Sequence, residues 1–422
     1  MPAPDDKALW SWATVPRPQF VGGNRVDLLT GGDQLFPRMC EAIAAATQEV
    51  WLATYIFHDD SAGTQVADAL AAAAQRGVAV YLVVDGFGSI ATIGHLRQRF
   101  AGSGVQMEVF RPLDRWWAWL QPGQLRRLHQ KLCVVDDAVA FVGGINVIDD
   151  RNDLHHGSTD APRLDFAVQL AGPLAPHVRH TARAMWARAR LGHGWREELR
   201  CVMRSAAPAE QARELVRLLR ARSRREGDAN MEPMRAAFVV RDNLRQRRAI
   251  ERSYIDAITK ARQRVDIAVP YFYPGGAFRR ALRQAAKRGV RVRLLLQGKI
   301  DYRIAGLAAR ALYDELRGRG VRIYEYVPAF LHAKVAVVDE EWATVGSSNI
   351  DPLSLLLNLE ANVVVRDAGF ARALGDRFDV AVAVSQEVAT PPVRGWRGWL
   401  QRGVVAWCAT VYLRLAGITG RY

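Results

Sequence analysis

The sequence has no pattern of cysteines that could pair or bind metal. Cys40, Cys133, Cys201 and Cys408 are scattered through 422 residues. That spacing excludes a disulfide scaffold and a zinc-type ligand set, and it favours a reducing compartment. An uninterrupted apolar run of about 18 residues is also missing, so no membrane-spanning helix is expected. The opening MPAPDDKALWSW carries acidic residues where a secretory leader carries basic ones, and no leader is expected. Acidic residues are in deficit, 43 against 58 Lys+Arg, a net charge of +15. Such a surplus suits an anionic partner, either nucleic acid or an acidic membrane surface, and charge alone does not separate them. With 50% hydrophobic and 24% charged residues the chain reads as globular, and its length suits about two or three structural units.

What is present is a duplication. HQKLCVVD runs from His129 to Asp136 and HAKVAVVD from His332 to Asp339, each fitting His-x-Lys-x4-Asp. Each is followed by a glycine-containing turn ending in asparagine, GGIN at 143–146 and GSSN at 346–349. Both the histidines and the asparagines are offset by 203 residues. AIAAATQEV at 42–50 matches AITKARQRV at 257–265, and AAQRGVAVYLVVDG at 73–86 matches AAKRGVRVRLLLQG at 285–298. Within each half, apolar strand runs such as 50–57 and 78–86 alternate with helices such as the alanine-rich stretch near 63–76. The expected fold is α/β: two tandem sandwich repeats with a mixed sheet, packed about a pseudo-twofold axis so that both motifs meet in one site. Expected boundaries are 1–20 for an extension, 21–184 and 233–390 for the repeats, 185–232 for an Arg-rich helical linker and 391–422 for a C-terminal segment.

In extended backbone, residues two apart share a face, so His129 aligns with Lys131 and His332 with Lys334. Asp136 and Asp339 have the opposite parity and fall at turns, where a carboxylate bonds nearby backbone donors. Both complete the motif and are counted with the catalytic set, although their parity makes them structural supports. A nucleophilic imidazole needs an acceptor on its second nitrogen. Asp165 and Glu360 sit inside apolar strand-like runs where an unpaired carboxylate is costly, and the histidines are their obvious partners. Two lysines with Asn146 and Asn349 form a donor-rich cradle for a phosphate. One histidine can attack phosphorus while the other protonates the departing alkoxide. No metal or other cofactor is required, because the lysines supply the positive charge.

These motifs resemble the phospholipase D superfamily, and HQKLCVVDDAVAFVGGIN at 129–146, PYFYPG at 270–275 and VGSSNIDPLSLLLNLEANVVV at 345–365 resemble bacterial cardiolipin synthases of the B type. The resemblance covers roughly residues 20–390. It implies transfer of a phosphatidyl group from one phosphatidylglycerol to another, with His129 as nucleophile and His332 as general acid and base. It further implies that Lys131, Lys334, Asn146, Asn349 and Ser347 bind phosphate and that Asp165 and Glu360 orient the histidines. Gly144 stands where the second half has Ser347, so a hydroxyl is supplied from one side only. Implied partners are phosphatidylglycerol and an anionic membrane surface, with no specific nucleic acid and no obligate protein partner. The implied location is peripheral, on the cytoplasmic membrane of a bacterium. Lipid contact is expected from RWWAWL at 115–120 and from the Trp- and Arg-rich stretch 394–417. Rival readings are hydrolysis of phospholipid or nucleic acid by the same chemistry, and a non-enzymatic scaffold, which two intact motifs argue against.

Overall fold

The computed structural model describes residues 19–112, 126–154, 157–191, 234–241, 248–299, 313–351 and 358–388. Segments 115–120 and 394–417, and the linker beyond Leu191, lie outside the described residues.

In the first half, β1 (Val21–Thr30) leads into α1 (Gly32–Ala44), β2 (Glu49–Thr54), α2 (Ser61–Gln75), β3 (Ala79–Asp85), α3 (Ile93–Phe100) and β4 (Gln106–Phe110). The hairpin β5 (Leu132–Val135) and β6 (Val139–Gly143) follows, then the short pair β7 (Asn152–Asp153) and β8 (Gly157–Ser158), β9 (Phe166–Ala171) and α4 (Ala175–Leu191). Helix α4 thus runs past the expected boundary at 184. The second half repeats the scheme with β10 (Met234–Arg241), α5 (Ala249–Lys260), β11 (Arg264–Ala268), α6 (Gly276–Lys287), β12 (Arg291–Gln297) and β13 (Arg322–Tyr326). It closes with β14 (Val335–Val338), β15 (Trp342–Gly346), β16 (Glu360–Arg366), α7 (Ala368–Ala383) and β17 (Gln386–Glu387).

Among the described residues fifteen strands form one sheet in the order β17-β13-β12-β11-β14-β15-β16-β10-β1-β9-β6-β5-β2-β3-β4. Read outward from the antiparallel β1–β10 pair, the two halves carry equivalent strands in the same order. The sequence shows two repeats; the sheet shows that they share one continuous hydrogen-bonded layer. β2–β3–β4 and β11–β12–β13 pair in parallel, which requires crossover helices and buries both strand faces. This explains why β2 and β3 read as continuous apolar runs.

Apolar clusters lie on both faces. One joins Ile43, Val66 and Leu70 of the first-half helices to β2 and β3, and another joins Ile258, Phe278 and Leu282 to β11 and β12. A third, on the opposite face, spans both halves, from Val178 of α4 and Val134 of β5 to Val337 of β14 and Leu374 of α7. That common core welds the halves into one body. The turn chemistry is duplicated at the C-terminal ends of α2 and α6, though not at their starts. Asp60 caps α2 by accepting from Gly63 N–H at 3.1 Å. Gly77 and Gly289 take φ of +90° and +88° just beyond α2 and α6, a region open to glycine without strain. Arg76 donates to the carbonyls of Ile43 and Ala44, and Arg288 does the same for Ile258 and Ala261.

Candidate active site

Each His-x-Lys segment precedes its hairpin, with β5 beginning one residue after Lys131 and β14 one after Lys334. These segments are therefore fixed by crossed contacts, outside any regular ladder. His129 N–H donates to the carbonyl of Leu359 and Leu359 N–H to that of Arg127; His332 N–H donates to Leu164 and Leu164 N–H to Phe330. Each histidine is thus strapped to the residue just before the other half's carboxylate.

The side chains follow the backbone. His129 Nδ1 lies 2.9 Å from Glu360 Oε2, and His332 Nδ1 lies 2.5 Å from Asp165 Oδ2, each separation requiring a proton between the pair. The carboxylates bond the histidines, as the sequence leads one to expect, but across the pseudo-twofold axis. Both carboxylates are buried, Glu360 fully. Burial alone would raise Glu360, but the His129 ring, Lys131 and the Ser347 hydroxyl outweigh it and hold the carboxyl below its ordinary range. Asp165 is pushed up to about 7 by burial, which Lys334 and the Phe166 N–H offset only in part. Burial lowers both imidazoles, His332 the further because Lys334 and Arg163 add repulsion. The two sides are electrostatically unequal: the His129 side faces an ionised carboxylate.

The Gly144–Ser347 difference has a steric explanation. Glu360 is one methylene longer than Asp165, and Ser347 Oγ donates to its Oε2 at 2.5 Å while accepting from Ala361 N–H at 3.1 Å. On the other side Asp165 Oδ1 itself accepts from Phe166 N–H at 2.8 Å, and a Cβ at Gly144 would stand 2.4 Å from that oxygen. Ser347, expected among the phosphate ligands, is fully buried and its hydroxyl is engaged by Glu360. Its position corrects that expectation: it is a support of the carboxylate.

Asp136 and Asp339 likewise stand apart from the histidines, at the far ends of β5 and β14. Asp136 accepts from the backbone N–H groups of Thr47, Gln48 and Glu49, and Asp339 from those of Arg262, Gln263 and Arg264. Both take positive φ, 50° and 53°. As motif members they belong to the turn scaffold; counting them with the catalytic set is corrected by this placement.

Lys131 and Lys334 are buried, and each Nζ donates to the carbonyl of its own histidine, Lys131 at 2.7 Å. Burial together with mutual repulsion pushes Lys131 down to about 7; burial pushes Lys334 down to about 8. Gly143 and Gly346 N–H groups donate to the carbonyls of the two lysines, which brings the asparagine-bearing turns against them. Asn146 Oδ1 accepts from Ile56 N–H at 3.3 Å, so its amide nitrogen is the donor side. Cys133 sits in the first-half core under this layer, where burial raises its thiol.

Four residues at the site escaped the sequence reading. The Tyr55 ring meets the His129 ring edge-on at 5.1 Å and lies under Lys131 Nζ at 5.4 Å. Arg163 carries charge close to His332 and Lys334. Asp85, fully buried, accepts from Leu128 N–H at 2.9 Å, next to His129, and Gln297 accepts from Leu331 N–H at 2.9 Å, next to His332. The signal for the last pair was available, since Asp85 and Gln297 align at the ends of matched strands, where sites of α/β folds gather. Among the described residues no group of three or more His, Cys, Asp or Glu is arranged to hold a metal ion.

Comparison with known proteins gives the family. The family model "Cardiolipin synthase, PLD-like domain" matches residues 39–157 and 254–381. Cardiolipin synthase B of Escherichia coli (strain K12) is 36% identical over 398 residues, covering 91% of this chain and 87% of that protein. Cardiolipin synthase B of Salmonella typhimurium (strain LT2) is 38% identical over 368 residues, covering 84% and 80%. The fold is shared with the crystal structure of phosphatidylserine synthase from Haemophilus influenzae Rd KW20, at a TM-score of 0.65 and 12% identity, over 98% of this chain and 99% of that one. The chain belongs to the phospholipase D superfamily. Within it, the chain is a member of the bacterial cardiolipin synthases, a class of phosphatidyltransferases.

Proposed function

We propose that the protein makes cardiolipin from two molecules of phosphatidylglycerol through a phosphohistidine. The observation that supports this reading is the crossed pair of histidine–carboxylate hydrogen bonds, which engages Nδ1 of each ring and leaves Nε2 for the reaction, with both lysines close enough to act on His332. His129 Nε2 attacks phosphorus and the P–O bond to glycerol breaks. His332 gives its Nε2 proton to the departing oxygen, its Nδ1 sharing the second proton of the pair with Asp165, the carboxyl that burial holds up to about 7, and free glycerol leaves. His332, now neutral, takes the proton from a hydroxyl of a second phosphatidylglycerol; that oxygen attacks phosphorus and the P–N bond to His129 breaks. The ionised Glu360 suits His129 as nucleophile, because it stabilises the positive charge that the ring acquires. Lys131, Lys334, Asn146 and Asn349 hold the phosphate oxygens, where negative charge grows. Peripheral action at the cytoplasmic face of the membrane is part of the same proposal, and among the described residues no helix is long and apolar enough to cross a bilayer.

The test is a mass balance on phosphatidylglycerol vesicles. Equal yields of cardiolipin and glycerol are expected. Phosphatidic acid in place of cardiolipin would make the protein a hydrolase, and no lipid product would overturn the reading.

The lysines add a pH dependence. Both are depressed, so both are cationic only below about 7 and increasingly neutral above about 8 in the empty site. kcat/KM, which reports the free enzyme, should therefore fall as pH rises from about 7 to about 9. A profile flat to about pH 10 would contradict the role given to the lysines.

A further inference from the structure

The β3–α3 loop, residues 86–92, presents apolar side chains to solvent beside the active site. Phe87 is 38% exposed and Ile90 57% exposed. The other exposed large apolar side chains among the described residues, Leu154, Val380 and Val384, lie on the β7–β8 hairpin and at the end of α7. A loop tip with two such residues loses free energy to water that an apolar environment would restore.

The loop is firmly held. Asp85 Oδ1 accepts from Phe87 and Gly88 N–H at 2.8 and 3.1 Å. Ser89 Oγ donates to Tyr55 carbonyl and accepts from Phe57 N–H, both at 3.0 Å, and Thr92 Oγ1 donates to Phe57 carbonyl at 2.5 Å. A Cβ at Gly88 would stand 2.4 Å from the Tyr55 carbonyl, so the loop lies directly on the residue whose ring touches His129. The backbone that carries Phe87 and Ile90 is therefore fixed by these polar ties, with both side chains exposed on it.

A cation flanks this tip. The Arg127 guanidinium sits over the Phe87 ring at 5.4 Å and 3.7 Å from Asp85. In the other half the equivalent positions exchange roles: Lys299 replaces Phe87, Phe330 replaces Arg127, and Lys299 Nζ lies 5.5 Å from the Phe330 ring. Each histidine is thus flanked by a cation–aromatic pair, with the exposed apolar tip on the His129 side and the exposed lysine on the His332 side. Apolar tips among basic residues match the boundary between headgroups and acyl chains of an anionic bilayer.

We infer that the loop 86–92, with Arg127 beside it and Lys299 at the equivalent position of the other half, seats the active-site mouth on an anionic phospholipid surface. The inference rests on the reading of the substrate as a phospholipid within a bilayer. The seat and the chemistry are mechanically joined, because Asp85 holds Phe87 and Gly88 through one carboxylate oxygen and Leu128, next to His129, through the other.

The experiment compares the full chain with Phe87→Ser/Ile90→Ser and with Val380→Ser/Val384→Ser, a change of like chemistry on α7. Binding to phosphatidylglycerol-containing vesicles is measured by co-sedimentation, and turnover is measured on those vesicles and on short-chain phosphatidylglycerol below its micelle concentration. The loop variant should bind vesicles about tenfold less tightly and turn over vesicle lipid about tenfold more slowly. Its turnover of monomeric lipid and every property of the α7 variant should stay within about twofold of the parent. Unchanged vesicle affinity in the loop variant would overturn the inference, as would an equal loss on monomeric lipid, which would make the loop part of the reaction site. Should the parent form no cardiolipin from either substrate, the functional proposal fails while vesicle affinity still decides the role of the loop.

Discussion

Replacing either His129 or His332 by alanine lowers phosphatidyl transfer by about 10⁴-fold or more, and the double variant falls little below either single one. The first imidazole supplies the bond to phosphorus and the second the proton without which glycerol departs as an alkoxide. Losing either halts the same cycle, so the losses do not multiply. Each variant also leaves a buried carboxylate, Glu360 or Asp165, without its imidazole partner, so a measurable loss of stability should accompany the loss of activity without accounting for it. Turnover by vesicle assay, with thermal unfolding as a control, checks this. Substantial transfer by both single variants would end the shared-site account.

The second large effect comes from the crossed carboxylates. Glu360→Gln and Asp165→Asn each keep the size of the side chain and remove its charge, and each should reduce transfer by about 10³-fold. They should differ in which step fails. With a phosphatidyl ester whose leaving group is acidic enough to depart unprotonated, the first half-reaction no longer needs His332. Asp165→Asn should then release that group in a fast burst, one per enzyme molecule, while Glu360→Gln should not. Pairing within each repeat would give the opposite assignment, with the burst retained by Glu360→Gln, and that result would contradict the geometry seen here.

Much of this arrangement is legible in the sequence because it is duplicated. A pair of His-x-Lys-x4-Asp strings with matched downstream asparagines demands two copies of one hairpin, and the apolar runs at 50–57 and 78–86 demand buried parallel strands, which β2 and β3 provide. The position of Asp136 and Asp339 at turns follows from side-chain parity, and their bonds to three successive backbone N–H groups show why an aspartate is wanted there. The crossing of the carboxylates is not legible, because it depends on two contacts between halves: Leu128 with Leu359 and Leu164 with Leu331. His129 and Glu360 are 231 residues apart, a separation that no local spacing rule reaches. Ser347 was misread for a related reason. Its role depends on the extra methylene of Glu360 over Asp165, and only the packed site shows that the two glycine-turn variants compensate two carboxylate lengths. Asp85 was visible as the end of an apolar strand but carried no motif; its hydrogen bonds are to backbone N–H groups, which leave no mark on composition.

The most direct measurement is the mass of the peptide containing His129 after the His332→Ala chain is mixed with a phosphatidyl ester bearing such an acidic leaving group and quenched within one turnover. The account predicts a phosphatidyl adduct on His129, formed at about one per chain and absent from His129→Ala. An adduct on no histidine, or appearance of cardiolipin without any covalent enzyme species on the same timescale, would contradict it.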